Sequence, residues 1–271
     1  WPFKILAPNA LLLQFNFIFI MQGCLEKIIS NRGADYLEDY TLVLSNLPRL
    51  ISNNSLPFIN IIEGKRILAK NRIGPHNIDV LSILFGSLLG DCHAEYRQIG
   101  KGTRFCFYQE NSHATYLNWL HNLLLEKGYC SSQIPEIKRR LGKKGTVRKV
   151  IRFKTFTYSS LNWIHELWYV NNTKVVPSII GDYLNPLTLA IWIMFEGSKV
   201  GNGLKVSTNS FTYSECIFLT KILFDNFKIQ SSIQSAGTPN KNIIYIWKES
   251  IPLLREIILP YVHPSMKYKL S

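Results

Sequence analysis

The sequence predicts an α+β fold built from two related halves, each running helix, hairpin, helix, hairpin, helix. Two segments about a hundred residues apart, Leu84-Phe-Gly-Ser-Leu-Leu-Gly-Asp-Cys92 and Leu189-Ala-Ile-Trp-Ile-Met-Phe-Glu-Gly197, are apolar and small and close on a single carboxylate. Each is followed by strand-like alternation and then by an amphipathic helical stretch. Each is also preceded by a helix-start signal: Asn77 and Asp79 before the first, Asn185-Pro186 before the second. Asn and Asp cap orphan backbone amides, and Pro suits the first helical turn, where its missing N–H costs nothing.

The first half opens from the Ile73-Gly-Pro-His-Asn77 turn. After its motif helix, Gly102 to Tyr108 alternates in the manner of a strand, and Ser112 is expected to cap a helix over Tyr116 to Leu125. Val147 to Lys154 is a second strand, and a helix near Ser160 to Tyr169 closes the unit. In the second half, Leu187 to Phe195 is the helix, Gly203 to Thr208 a strand, and Thr212 starts a helix through Leu223. Strands over Ile229 to Gln234 and Ile243 to Trp247, and a helix near Ile251 to Leu259, complete it. The expected division is an N-terminal extension, 1–75, a first repeat, 76–177, and a second repeat, 178–271.

With 271 residues, 46% of them hydrophobic, the chain can bury a substantial core. Lys and Arg number 31 against 18 Asp and Glu, a net charge of +13, which points to a polyanionic partner. Nucleic acid fits better than a lipid surface, because Tyr, Phe, Thr, Asn and Gln are interleaved with the cations and can reach bases and sugars. Five scattered cysteines without a C-x-x-C pair encode neither a disulfide framework nor a zinc ribbon, and a reducing compartment is expected. The apolar stretch Ala10 to Met21 is too short to span a bilayer and is interrupted by Gln14 and Asn16, so no stable membrane span is expected, a tether being the remaining alternative. The first residue, Trp1 and not Met, suggests a processed or truncated start, and the wealth of Ile, Asn, Lys, Phe and Tyr suits an AT-rich organellar genome.

Asp91 and Glu196, delivered from the ends of two similar apolar helices, would meet on a pseudo-two-fold axis. Hard carboxylate oxygens of this kind suit Mg²⁺, which takes its remaining ligands from water and phosphate; without an ion, repulsion and burial should leave one acid protonated. The blander reading is a pair of capping or salt-bridging acids. Gly86 and Gly90, with Ser87, leave one helical face almost bare, and two glycines inside a helix cost about 1 kcal/mol each, so a close partner helix is expected. The densest basic run, Lys138 to Lys154, includes Lys143, Lys144, Arg148, Arg152 and Lys154 and alternates with Val147, Val150, Ile151 and Phe153, a cationic strand face suited to a duplex. Candidates for contact with bases are Arg97, Gln98, Arg104 and Gln109, with Lys205, Ser207, Asn209, Gln230 and Gln234 in the second half. No H-x-x-x-H pair, nucleophile elbow or P-loop is present, which argues against acyl hydrolases and P-loop NTPases.

Taken together, Leu84 to Cys92, Trp168-Tyr-Val-Asn-Asn-Thr-Lys-Val-Val-Pro177, Tyr183 to Met194, Ser207-Thr-Asn-Ser-Phe-Thr212 and Pro264-Ser-Met-Lys-Tyr-Lys-Leu270 resemble a single-chain LAGLIDADG homing endonuclease or a related group I intron maturase, over about residues 72–271. The resemblance implies two αββαββα repeats, motif helices packed at the pseudo-dyad, antiparallel sheets forming a DNA-binding saddle, and Mg²⁺-dependent cleavage of both DNA strands across the minor groove. It aligns Asp91 and Glu196 with the family's metal-binding catalytic acids, and Lys174 and Lys269 with the basic residues flanking the scissile phosphates. It further implies a monomer acting on a double-stranded DNA target, encoded by an intron in a mitochondrion and residing in the matrix, or alternatively a protein that stabilises group I intron RNA. Phe195 stands where a second acid often precedes the catalytic one.

Overall fold

A computed structural model of the chain describes residues 67–141 and 145–271, all within one compact unit, 63–271. The expectations for the N-terminal stretch, including a tether, and those for Lys143 and Lys144 lie outside the described residues.

The first half runs α1 (Ile78–Leu89), β1 (His93–Arg97), β2 (Gly102–Glu110), α2 (Ala114–Glu126), β3 (Ile137–Leu141), β4 (Val147–Lys154) and α3 (Asn162–Trp168). A two-stranded ribbon, β5 (Tyr169–Val170) and β6 (Thr173–Lys174), and the single turn α4 (Ile180–Tyr183) lead into the second half. That half repeats the order as α5 (Pro186–Glu196), β7 (Gly197–Val200), β8 (Gly203–Ser207), α6 (Tyr213–Phe227), β9 (Ser231–Ser235), β10 (Asn242–Ile246) and α7 (Ile251–Ile258), and a 3₁₀ segment, Pro264–Lys269, follows. The sheets are antiparallel with matching strand orders, β1-β2-β4-β3 and β7-β8-β10-β9. The duplication expected from the two motif segments is therefore borne out as two αββαββα units.

Local chemistry explains the helix starts. Asn77 accepts from the Asp79 amide at 2.7 Å, and Asn185 accepts from Thr188 at 2.9 Å with Pro186 beside it. Thr212 and Glu215 form a reciprocal capping box at the start of α6. Ser112 does not cap α2. It sits inside a 3₁₀ turn, Asn111–His113, and the helix begins after His113 with no side-chain cap. The Asn171-Asn172 turn of the ribbon has φ of 49° and 61°, the left-handed pair that a tight hairpin turn requires and that Asn tolerates better than most residues.

Helices α1 and α5 are apolar almost all round, as a helix buried on every side must be. Leu84, Phe85, Leu88, Ala190, Ile191 and Trp192 are fully buried, each large side chain among them contributing about 1.5–3 kcal/mol through burial. The bare face of α1 is filled by α5. A Cβ added at Gly86 would stand 2.5 Å from the Thr188 carbonyl oxygen and 2.9 Å from Ile191 Cβ, and one at Gly90 would stand 2.7 Å from Phe195 Cβ. Large residues on one helix thus occupy space vacated on the other.

Candidate active site and nucleic-acid interface

The α1–α5 pair ends at the two acids. Asp91 follows the Gly90 cap of α1, and Glu196 is the last residue of α5. Glu196 Oε1 lies 3.3 Å from where a Cβ of Gly90 would be, so the close approach of the helices brings the acids together. Phe195, the departure from an acidic position, is buried against Gly90 and meets Tyr116 edge-on at 5.4 Å. Its role is to fill the interface.

Each helix end is held by a lysine. Lys174, carried by the β5–β6 ribbon, donates from Nζ to the carbonyls of Gly90 at 2.7 Å and Cys92 at 2.9 Å. Lys269, in the closing 3₁₀ segment, donates to those of Met194 at 2.6 Å and Phe195 at 3.4 Å. Both satisfy carbonyls at a helix C-terminus, where the backbone dipole favours a cation. Among the described residues, Asp91 and Glu196 form no salt bridge within 4 Å, so the capping or ion-pair reading of these acids is not the arrangement found.

The electrostatics follow from burial and proximity. Burial, then the charge of Asp91, pushes the Glu196 carboxyl up to about 7 against the pull of both lysines. Burial lowers Lys269 to about 8, opposed by Glu196 and Asp91. Burial also lowers Lys174, opposed by Cys92, Glu196 and Asp91. Glu196 is therefore poised between its protonated and charged forms near neutral pH, and the oxygen-only donor pair suits a hard divalent cation. Among the described residues, no cluster of three or more His, Cys, Asp or Glu side chains is arranged to hold a metal. An ion here would take two carboxylates and complete its shell from water and substrate, as Mg²⁺ does.

Asp91 opens onto the exposed face of the first sheet. A cavity of about 400 Å³ is lined by Asp91, His93, Tyr108, Arg140, Arg152 and Lys154. Strand alternation puts Arg97 and Arg104 on this face opposite Glu95, and places Arg148, Arg152 and Lys154 along β4. Glu95 takes Arg97 at 2.7 Å, Arg104 at 2.8 Å and Lys154 at 3.6 Å. Against the upward push of its burial, hydrogen bonds from Arg97 and Arg104 and the charges of Arg104 and Lys154 hold its carboxyl down at about 2. Arg148 pairs with Glu110 at 3.7 Å. Lys138, Arg140 and Arg152 are exposed and form no salt bridge among the described residues, which makes them the uncompensated charge of this face. Gln98 is exposed in the β1–β2 turn.

Gln109 is a correction. It shares the core-facing register of Phe105 and Phe107, is 6% exposed, and its Oε1 accepts from His113 Nδ1 at 3.0 Å, so it is turned away from the open face. In the second half, Lys205 and Ser207 alternate with buried Leu204 and Val206, and Gln234 falls on the same face, two strands away. Gln230 is exposed just before β9, and Asn209 is exposed in the loop after β8, its carbonyl accepting from Lys241 at 2.6 Å. The two faces are unlike: the first is cationic, the second mainly hydroxyl and amide.

Sequence reasoning missed His93 and Tyr108, which line the cavity. The alternation His93, Glu95, Arg97 directly after Asp91 was the available signal. It also missed Phe211, whose ring lies 6.0 Å from Lys174 Nζ, a contact with no local signature.

Residues 81–254 match the model of the LAGLIDADG DNA endonuclease family. The chain belongs to that family. Over 241 residues it is 45% identical to the cytochrome b mRNA maturase bI2 of Saccharomyces cerevisiae, covering 86% of this chain and 56% of that protein. It thus spans little more than half the length of this relative. It is 37% identical over 156 residues to the intron-encoded endonuclease ai4 of Dictyostelium discoideum, covering 56% of this chain and 98% of that one. Among solved structures, the homing endonuclease I-WcaI bound to its DNA recognition sequence superposes with a TM-score of 0.67 at 25% identity, over 75% of this chain and 90% of that one. The matched residues include both acids at the helix ends, Asp91 and Glu196.

Proposed function

We propose that this LAGLIDADG protein is an intron-encoded, sequence-specific DNA endonuclease that makes a staggered double-strand cut by Mg²⁺-dependent phosphodiester hydrolysis. The observation that carries this reading is the pair of carboxylates at the ends of α1 and α5, without an ion pair among the described residues, with Asp91 opening onto a cationic sheet face. Asp91 and Glu196 would hold the metal. Bound there, Mg²⁺ lowers the pKa of an attacking water and stabilises charge on the phosphate. Glu196 must first lose its proton, which its position near 7 allows at neutral pH. Lys269, near 8, can present a positive charge beside a phosphate or pass a proton to a departing oxygen, and Lys174 has the equivalent place at the other helix end.

Arg152, Arg140 and Lys138 would neutralise phosphates, while Gln98, Lys205, Ser207, Asn209, Gln230 and Gln234 are the side chains set to read bases. The two repeats, 76–177 and 178–271, supply both half-sites within one monomer. Similarity to maturases of a cytochrome b message supports an organellar origin and action in the mitochondrial matrix. No described helix is long and apolar enough to cross a membrane. The test is incubation with DNA spanning the intron-less insertion site in Mg²⁺: staggered cuts are expected, lost in Asp91→Asn and Glu196→Gln with binding retained. Tight binding by the wild type without cutting in any divalent metal overturns the proposal.

A second reading, binding and stabilising group I intron RNA for splicing, is favoured by the 45% identity to a maturase. It predicts splicing rescue that survives both acid substitutions, and it fails if those variants do not support splicing.

A further inference from the structure

The two lysines reach the helix ends on differently built supports. Lys174 is held by a hydrogen-bonded ribbon in register with Tyr169. The segment just beyond it is fastened to the second half, where the Val176 amide donates to Glu215 Oε1 at 2.7 Å. Glu215 is itself fixed by the α6 capping box, with Thr212 N–H and Oγ1 at 2.6 and 2.7 Å from Oε2. Lys269 has no ribbon beneath it. Its segment, 262–271, crosses to the first half and rests there on two aromatic residues: the His263 ring lies 5.2 Å from Trp119, and the Tyr268 hydroxyl is 3.3 Å from His113 Nε2.

His113 is oriented from behind. Its Nδ1 is 3.0 Å from Gln109 Oε1, which accepts only, so the ring proton sits on Nδ1 and Nε2 accepts from Tyr268 O–H. Burial, then the charge of Lys269, lowers the His113 pKa and favours this neutral form. Burial of Gln109 inside the first half, unhelpful for DNA contact, has a use here as the fixed end of a chain: Gln109, His113, Tyr268, then Lys269 one residue on. The same segment is tied to its own half by the His263 amide to Met194 Sδ at 3.3 Å and by Arg255 to the Leu270 carbonyl. Those contacts set its position along α5. The His113 contact is what draws Tyr268 towards the first half, against the neighbouring Lys269.

We propose that His113 and Tyr268 are positioning residues for Lys269, so that one of the two strand cuts depends on the Tyr268–His113 hydrogen bond and the other, served by Lys174 on its separately fastened ribbon, does not. This inference rests on the endonuclease reading. The chemistry predicts that loosening this hydrogen bond converts a double-strand cutter into a strand-selective nicking enzyme. Tyr268→Phe removes only the hydroxyl and keeps the ring. His113→Ala removes the acceptor, and His113→Gln restores a side chain able to accept.

The test uses the full chain and a supercoiled plasmid carrying the target. Wild type should give linear product, whereas Tyr268→Phe and His113→Ala should accumulate nicked circle at least tenfold over wild type with unchanged DNA affinity, and His113→Gln should recover linear product. A second measurement needs neither metal nor DNA. Amide exchange at Met266 and Leu270, bonded to His263 and Lys267 carbonyls, should accelerate roughly fivefold in Tyr268→Phe, the effect of losing one net hydrogen bond. Unchanged exchange, or faster exchange with a wild-type ratio of linear to nicked product, overturns the inference. If wild type itself cuts neither strand while Tyr268→Phe still speeds exchange, the endonuclease reading is what falls, and the nicking claim with it.

Discussion

Replacing Gly86 by Ala probes how tightly α1 and α5 pack. In an ordinary helix interior the change would stabilise by about 1 kcal/mol, since Ala is the better helix former. Here the new Cβ meets the Thr188 carbonyl oxygen at 2.5 Å and Ile191 Cβ at 2.9 Å. Neither can rotate aside: one is backbone, the other the branch point of a fully buried residue. The helices must separate, and overpacking of this kind costs about 1–3 kcal/mol. With backbone in the way the clash should fall in the upper part of that range and outweigh the propensity gain, for a net loss of up to about 2 kcal/mol, read by calorimetry as a fall in Tm of about 2–4 °C per kcal/mol for a domain of this size. Ile191→Ala alone should cost about 2–5 kcal/mol by leaving a cavity, but less in the Gly86→Ala background, where the new methyl occupies part of the space. A Tm that rises with Gly86→Ala, or strict additivity of the pair, would refute the packing argument.

Two further outcomes follow from charge. The Glu196 carboxyl sits at about 7 in the folded protein, above the usual value of about 4.3 that it resumes on unfolding. The folded state therefore binds more protons between those two values, and metal-free stability should fall as pH rises from about 4.5 to 7. Glu196→Gln should flatten this part of a Tm-against-pH curve and raise Tm above pH 7, and an unchanged slope would contradict the shift. On the first sheet, Arg152→Ala should reduce the log–log salt slope of DNA binding by about 0.9 as one phosphate contact is lost. Gln109→Ala, on the core side, should leave that slope as it was; fluorescence anisotropy over a salt series measures both, and a falling slope for Gln109→Ala would return that residue to the interface.

How much of this could be read from residues alone depends on how local the cause is. Asn77, Asn185 and Thr212 were legible as caps because a cap bonds an amide two or three residues away. Ser112 misled because a serine just ahead of an amphipathic run also suits a 3₁₀ turn, and His113, one residue on, is drawn instead to Gln109 and Tyr268. The duplication and its two acids were legible from pattern. Gln109 was misassigned by residue type, although its register with Phe105 and Phe107 already placed it inward. The lysines came only from family resemblance, since Lys174 bonds a carbonyl 84 residues away and no spacing rule reaches that far. The place of Phe195 was unreadable for the same reason: its fit depends on the missing side chain of Gly90 across the helix pair.

That unequal fit between the motif helices bears on the ancestry and engineering of the molecule. Two copies of the first half, brought together about the same axis, would set glycine against glycine and leave a void; two copies of the second would drive Ile191 and Phe195 into their own duplicates. Neither segment would keep this spacing against its own copy, so a shuffled version assembled from one half of this protein and one half of a relative needs a partner helix recut to the same lock.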